Sequence, residues 1–270
     1  MITFVVLFGI VAVVVYHYQQ QLKEGYAFAG RAAAPLRSKV LPVPQVYRDI
    51  LEKYFPFYRQ LDDPNQNRFA QRVANFIYGK RFIPRNIDEI TVEARVLIAA
   101  TAVQLTFGLT NVYLQHFNKI LVYPNDYYSS ITKKYHKGEV NPRFGIIVIS
   151  WQSFVEGFVS PGDAVNVGLH EMAHALRLEN LIRSADYKFF DADLIRKFDE
   201  HAMALCRVTN WSETFFRPYA CANEHEFFAV AVENFFERPR EFKHAIPELY
   251  SILSKLLNQD PSLLSSSLQS

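Results

Sequence analysis

The chain opens on a run of fifteen uncharged residues, 2–16 (ITFVVLFGIVAVVVY). With Met1, His17 and Tyr18 it reaches 18 residues, about 27 Å as a helix, against a hydrocarbon core of about 30 Å. A stretch that is apolar on every side needs lipid or protein all round. The pattern predicts a transmembrane anchor over 1–18, with Tyr16 and Tyr18 at the interface. A cleaved leader fits less well. No Lys or Arg precedes the run, and some ten polar or mixed residues separate it from the small-residue site Ala27-Phe28-Ala29. Lys23, Arg31, Arg37 and Lys39 all follow the run, so the positive-inside rule puts the body in the cytoplasm, as a single-pass membrane protein. Residues 19–44, with Gly25, Gly30, an Ala run and three prolines, read as a linker.

Over 45–260 the pattern is mainly helical. Val46, Ile50, Leu51, Tyr54 and Phe55 recur at amphipathic spacing, and Asp63-Pro64 opens a segment carrying Phe69, Val73, Phe76 and Ile77 on one face. A helix over 91–107 has a nearly all-apolar interior, which predicts a place at the centre of the core. The period then changes. KILVY (119–123) and GIIVISW (145–151) are β-branched runs of strand length, separated by a polar stretch, 126–143, that suits a hairpin arm or loop. Helices follow at 164–179, 191–207, 224–237 and 247–257, and 261–270 reads as a flexible tail. The fold class is therefore α+β, mostly helical, with one principal domain over 45–260.

Composition narrows the function classes. Half the residues are hydrophobic and 15% aromatic, enough for a sizeable core. The net charge of +2 does not segregate, which argues against nucleic acid as a partner. Two cysteines, Cys206 and Cys221, exclude a disulfide-scaffolded domain, although not a single bridge. They are not a CxxC pair and read as apolar filler, whose unpaired state agrees with a cytoplasmic body.

The chemistry concentrates at His170-Glu171-Met172-Ala173-His174, an HExxH sequence within an apolar-periodic segment. Histidines four apart share a helix face, one turn above the other, so their ring nitrogens converge on one tetrahedral ion. Glu171, one position round from the first ligand, is placed as general base toward a metal-activated water. A catalytic zinc site needs a third protein ligand. Asn180 and Arg177 stand where HExxHxxGxxH has its third His and its Gly, so a metzincin arrangement is excluded. A glutamate on a later helix is the alternative. In 223–237 (NEHEFFAVAVENFFE), Glu226, Ala229, Val230 and Glu233 share a face beside several phenylalanines, where a carboxylate is costly unless paired or metal-bound. Glu226 is predicted as the third ligand. Glu233, two turns on, reads as an acceptor for a ligand His N–H, or as a solvated helix-end charge.

HEMAH, followed by Tyr219-Ala220 and HEFFAVAVENFFERP, with GIIVISWxxF and KILVYP upstream, resembles the MtfA-like (Mlc titration factor A, glucose-regulated) zinc metallopeptidases over roughly 65–260. The resemblance implies a zincin-like, gluzincin-type domain with a small edge-strand sheet and one Zn2+ per chain. By motif, His170, His174 and Glu226 become the zinc ligands, Glu171 the catalytic base, and Tyr219 a residue that polarises the substrate carbonyl or steadies the oxyanion. In that family a further histidine from the loop between the strands is associated with the metal. His136 is the only histidine in that loop here; it reads either as a fourth ligand, which would fill the water position, or as a solvated loop histidine. In such folds an edge strand next to the motif helix, here GIIVISW, takes extended peptide by β-augmentation. The expected function is a membrane-anchored zinc peptidase acting on a peptide or protein substrate. The alternative is a zinc-containing regulatory protein that sequesters a partner, such as a transcriptional regulator, with weak or no proteolysis.

Overall fold

The computed structural model describes residues 42–110, 112–129, 133–159, 162, 164–183, 188–207 and 215–264. The predicted anchor (1–18) and nearly all of the linker (19–44) lie outside them. Among the described residues no helix is long and apolar enough to cross a membrane. Residues 41–270 belong to one compact unit.

Helix α1 (Gln45–Tyr54) and the single turn α2 (Pro56–Arg59) lead into α3 (Asp63–Gly79). Asp62, not Asp63, caps α3: its side chain accepts from the Asn65 N–H, and Asp63 becomes the first helical residue. Helix α4 (Val92–Thr106) is capped by Thr91 and buried along most of its length, as its all-round apolar pattern requires. Its C-terminal carbonyls end inside the protein, where water cannot satisfy them. Arg72 of α3 does so instead, donating to the carbonyls of Thr106, Phe107, Leu109 and Val112.

The sheet has the order β1-β2-β6-β5, built from β1 (Arg81–Pro84), β2 (Lys119–Tyr123), β6 (Ile146–Ser150) and β5 (Gly138–Asn141). β1, β2 and β6 run parallel, with Leu121 opposite Val148, and β5 runs antiparallel to β6, with Gly138 opposite Ile149. The polar stretch also supplies a separate hairpin, β3 (Tyr127–Ser129) with β4 (Lys134–His136). This corrects the edge-strand expectation. GIIVISW is flanked on both sides and has no free edge, whereas the antiparallel β5, drawn from the polar stretch, is the edge on that side. Trp151 leaves the strand altogether and begins helix α5 (Trp151–Val159).

Helix α6 (Val167–Ile182) carries the HExxH residues, and Asn166 caps it by accepting from Leu169 N–H. Its start falls three residues after the periodicity suggests, because Ala164 at φ +57° turns the chain before the cap. Helix α7 (Ala192–Cys206) is capped by Asp191, and a 3-10 turn (Pro218–Ala222) precedes α8 (Glu224–Glu237). Helices α6 and α8 pack on one another in the core with α4 behind α6. The chain finishes with α9 (Pro239–Ala245), α10 (Pro247–Leu257) and one turn, α11 (Pro261–Leu264). That turn stands where the sequence reads as tail, and Asp260 anchors it by accepting from Ser262 N–H and Tyr250 O–H.

The cysteines also differ from expectation. Cys206, at the end of α7, is bonded to Cys221 in the 3-10 turn. The pairing depends on α7 and the turn lying side by side, and it removes the support that unpaired thiols lent to a cytoplasmic body.

Candidate metal centre

Two facing helices set the site. His170 and His174 lie one turn apart on α6, and their Nε2 atoms are 3.0 Å from each other. Asn223 caps α8 through the N–H groups of His225 and Glu226, which places Glu226 in the first turn of that helix. Its Oε2 lies 3.1 Å from His170 Nε2 and 3.5 Å from His174 Nε2. Ala229, one turn on, is fully buried, and so small a side chain permits the close approach of α6.

The three donor atoms fit a small divalent cation. A tetrahedron with metal–ligand bonds of about 2.0–2.1 Å has edges of about 3.3 Å, and the three observed separations bracket that value. Glu226 Oε2 is buried yet accepts no aligned hydrogen bond. Two ring nitrogens and an orphaned carboxylate oxygen facing one point are the donor set of a His2Glu centre. His170, His174 and Glu226 are also the group of His, Cys, Asp and Glu whose ligand atoms converge among the described residues.

The charges agree with this. Burial would raise Glu226, but the close approach and charges of His170 and His174 pull its carboxyl far below the usual range. Burial disfavours the His170 imidazolium, but the adjacent Glu226 carboxylate, the hydrogen bond to Glu233 and the charge of Glu171 prevail and carry it up to about 10.

Glu171 is 7% exposed and lies against β5. A Cβ on Gly138 would stand 2.4 Å from Glu171 Cγ, so only glycine allows the strand this close. Burial pushes the Glu171 carboxyl up to about 7, against the lowering effect of the two histidines. That range suits a group that takes up and returns a proton near neutral pH.

Around this core, Glu233 is 1% exposed and accepts from His170 Nδ1 at 2.8 Å, which turns Nε2 toward Glu226. Of the two readings of Glu233, the solvated helix-end charge is excluded. Glu233 also accepts from the Asn166 backbone N–H and from both Nη atoms of Arg217. Tyr219, in the 3-10 turn and 53% exposed, has its ring 6.3 Å from that of His170. Partial burial, followed by the Glu226 carboxylate, pushes its hydroxyl up to about 12, so it is a donor at neutral pH.

His136 is not in the converging group. The β3–β4 pairing sets it opposite Tyr127, and its ring stacks on the Tyr127 ring at 5.9 Å. Tyr127 in turn donates to Glu139 on β5. The positions that would complete a metzincin motif are structural here. Arg177 pairs with Asp199 of α7, and Asn180 Oδ1 accepts from the N–H groups of Phe189 and Phe190. Sequence reasoning missed Gly138, Asn166 and Arg217. An asparagine before an apolar-periodic segment is a cap signal that could have found Asn166; nothing local marks Gly138 or Arg217.

Comparison with known sequences agrees with this geometry. The family described as glucose-regulated metallo-peptidase M90 matches residues 31–257. Protein slr2042 of Synechocystis sp. is 29% identical over 239 residues, covering 82% of this chain and 86% of that protein. Mlc titration factor A of Yersinia pestis is 25% identical over 226 residues, covering 76% of this chain and 82% of its own length, and the Yersinia pseudotuberculosis protein of that name matches to the same extent.

Proposed function

The chain belongs to the glucose-regulated metallo-peptidase M90 family, and on that premise we propose that it is a zinc-dependent peptidase of gluzincin type. In this reading His170, His174 and Glu226 hold one Zn2+, Glu171 is the general base and Tyr219 assists the substrate carbonyl. The observation that carries it is the convergence of the three donors on one point, with Glu226 Oε2 buried and lacking an aligned hydrogen bond.

When bound, zinc would supply Lewis acidity toward the substrate carbonyl and would make the attacking water more acidic. The protein does the rest. Glu171 takes a proton from water and delivers it to the departing amine, a transfer that its position on the edge of neutrality favours. Tyr219 O–H donates to the oxygen on which negative charge develops. Glu233 fixes the His170 tautomer, so that Nε2 keeps its lone pair for the metal. β5 runs past Glu171 and ends the sheet, so an extended peptide added to its free edge would bring its backbone to the base.

The test is hydrolysis of a mixed peptide library by purified protein, with and without a chelator. Glu171→Gln is expected to retain zinc and to lower turnover by about 10²–10⁴-fold. Full turnover in that variant overturns the assigned base. The name of the Yersinia relatives favours a second reading, in which the protein titrates a regulatory partner. Zinc binding with no cleavage of any library peptide would support it.

For location, the uncharged run 1–18 supports a single-pass anchor. The basic residues after it favour a cytoplasmic body, whereas the Cys206–Cys221 bond favours an oxidising compartment.

A further inference from the structure

We propose that Arg217 is a positioning residue of the metal centre: it compensates the buried Glu233 carboxylate behind His170 and, with the same guanidinium, ties the Tyr219 turn and the entry to the HExxH helix to it. The inference rests on the metallopeptidase reading above, and it concerns a residue that no part of the HExxH or distal-glutamate pattern marks.

Arg217 immediately precedes the 3-10 turn that carries Tyr219. Its Nη2 donates to Glu233 Oε1 at 2.7 Å and its Nη1 to Glu233 Oε2 at 3.2 Å, so guanidinium and carboxylate meet as two forks. Nη1 also donates to the carbonyl of Ala164, the positive-φ residue two positions before the cap of α6. The guanidinium carbon lies 5.9 Å from the centre of the Tyr219 ring.

The electrostatic argument turns on what faces Glu233. With 1% of its surface exposed, this carboxylate depends on partners within the protein, since an uncompensated buried charge is strongly unfavourable. It accepts from His170 Nδ1, Asn166 N–H and Arg217, which uses about the full acceptor capacity of a carboxylate. Among these partners Arg217 is the one that brings a guanidinium charge, and it meets both carboxylate oxygens at once. A lysine in its place would bring charge without the planar fork, and could not grip both oxygens and the Ala164 carbonyl together.

The experiment measures zinc affinity of the full chain by competition with a chromophoric chelator, alongside kcat and KM for a cleaved library peptide. Arg217→Met is expected to weaken zinc about 10–100-fold and to lower kcat with KM little changed. Arg217→Lys should restore most of the zinc affinity but not kcat. In a Glu233→Gln background Arg217→Met should cost little further affinity, because its effect passes through the carboxylate. Wild-type affinity in folded Arg217→Met, or losses that simply add in the double variant, overturn the proposal. If Arg217→Met does not fold, Arg217→Lys decides: equal losses of affinity and kcat in that variant count against it. Wild-type protein that binds no zinc would instead overturn the metal-centre reading, and this proposal with it.

Discussion

Glu226 Oε2, 3.1 and 3.5 Å from two imidazole nitrogens, occupies a position that either a proton or a metal ion must neutralise. The competition between them has a measurable sign. Metal-free His170 stays protonated up to about 10, and zinc requires its Nε2 lone pair. Zinc uptake at pH 7 should therefore release at least one proton, and affinity should climb about tenfold per pH unit as pH rises toward 10. Calorimetry in buffers of different ionisation enthalpy checks this, and zero proton release would show that His170 is not the proton-bearing ligand. The spacing of His170 and His174 was legible from the sequence because i and i+4 share a face of any helix. The position of His136 outside the converging donors was not, because its place depends on the partner it meets across a hairpin.

At the level of elements, the decisive contact is between β5 and α6. Glycine at 138 lets the edge strand lie against Glu171, and a methyl group there has no room. Gly138→Ala should displace the Glu171 carboxylate and reduce turnover about 10²-fold, while zinc affinity stays near wild type because no ligand moves. Wild-type turnover in that variant would mean that the base is not held by the strand. Most helices could be read from periodicity and caps: 224–237 and 247–257 coincide with α8 and α10, and Thr91 and Asp191 serve as caps. The short elements could not. β1, α5 and α9 are each nine residues or fewer, and a window that short holds too few turns or alternations to separate helix, strand and loop.

On the scale of the whole molecule, the bond between Cys206 and Cys221 joins the end of α7 to the turn that carries Tyr219. It spans 15 residues of sequence, and closing a loop of that size restricts the unfolded chain by about 3 kcal/mol. Cys221→Ser should lower stability by about 2–4 kcal/mol, read by denaturant unfolding of non-reduced protein. Two free thiols in the native, unreduced protein would show that the bond does not form.

The sequence alone determined what is local: the HExxH pair on one helical face, Glu226 and Glu233 two turns apart on a second helix, the KILVY strand, and the all-apolar helix destined for the core. These follow from backbone periodicity and from the cost of burying a carboxylate, which hold wherever the segment ends up. Only the tertiary structure decided which strand became the edge, that Arg217 would meet Glu233, that Arg72 would close the end of α4, and that the two cysteines would pair. Each of those joins residues far apart in sequence or separated by an irregular stretch. Chain packing brings such groups together, and no repeat in the sequence encodes it.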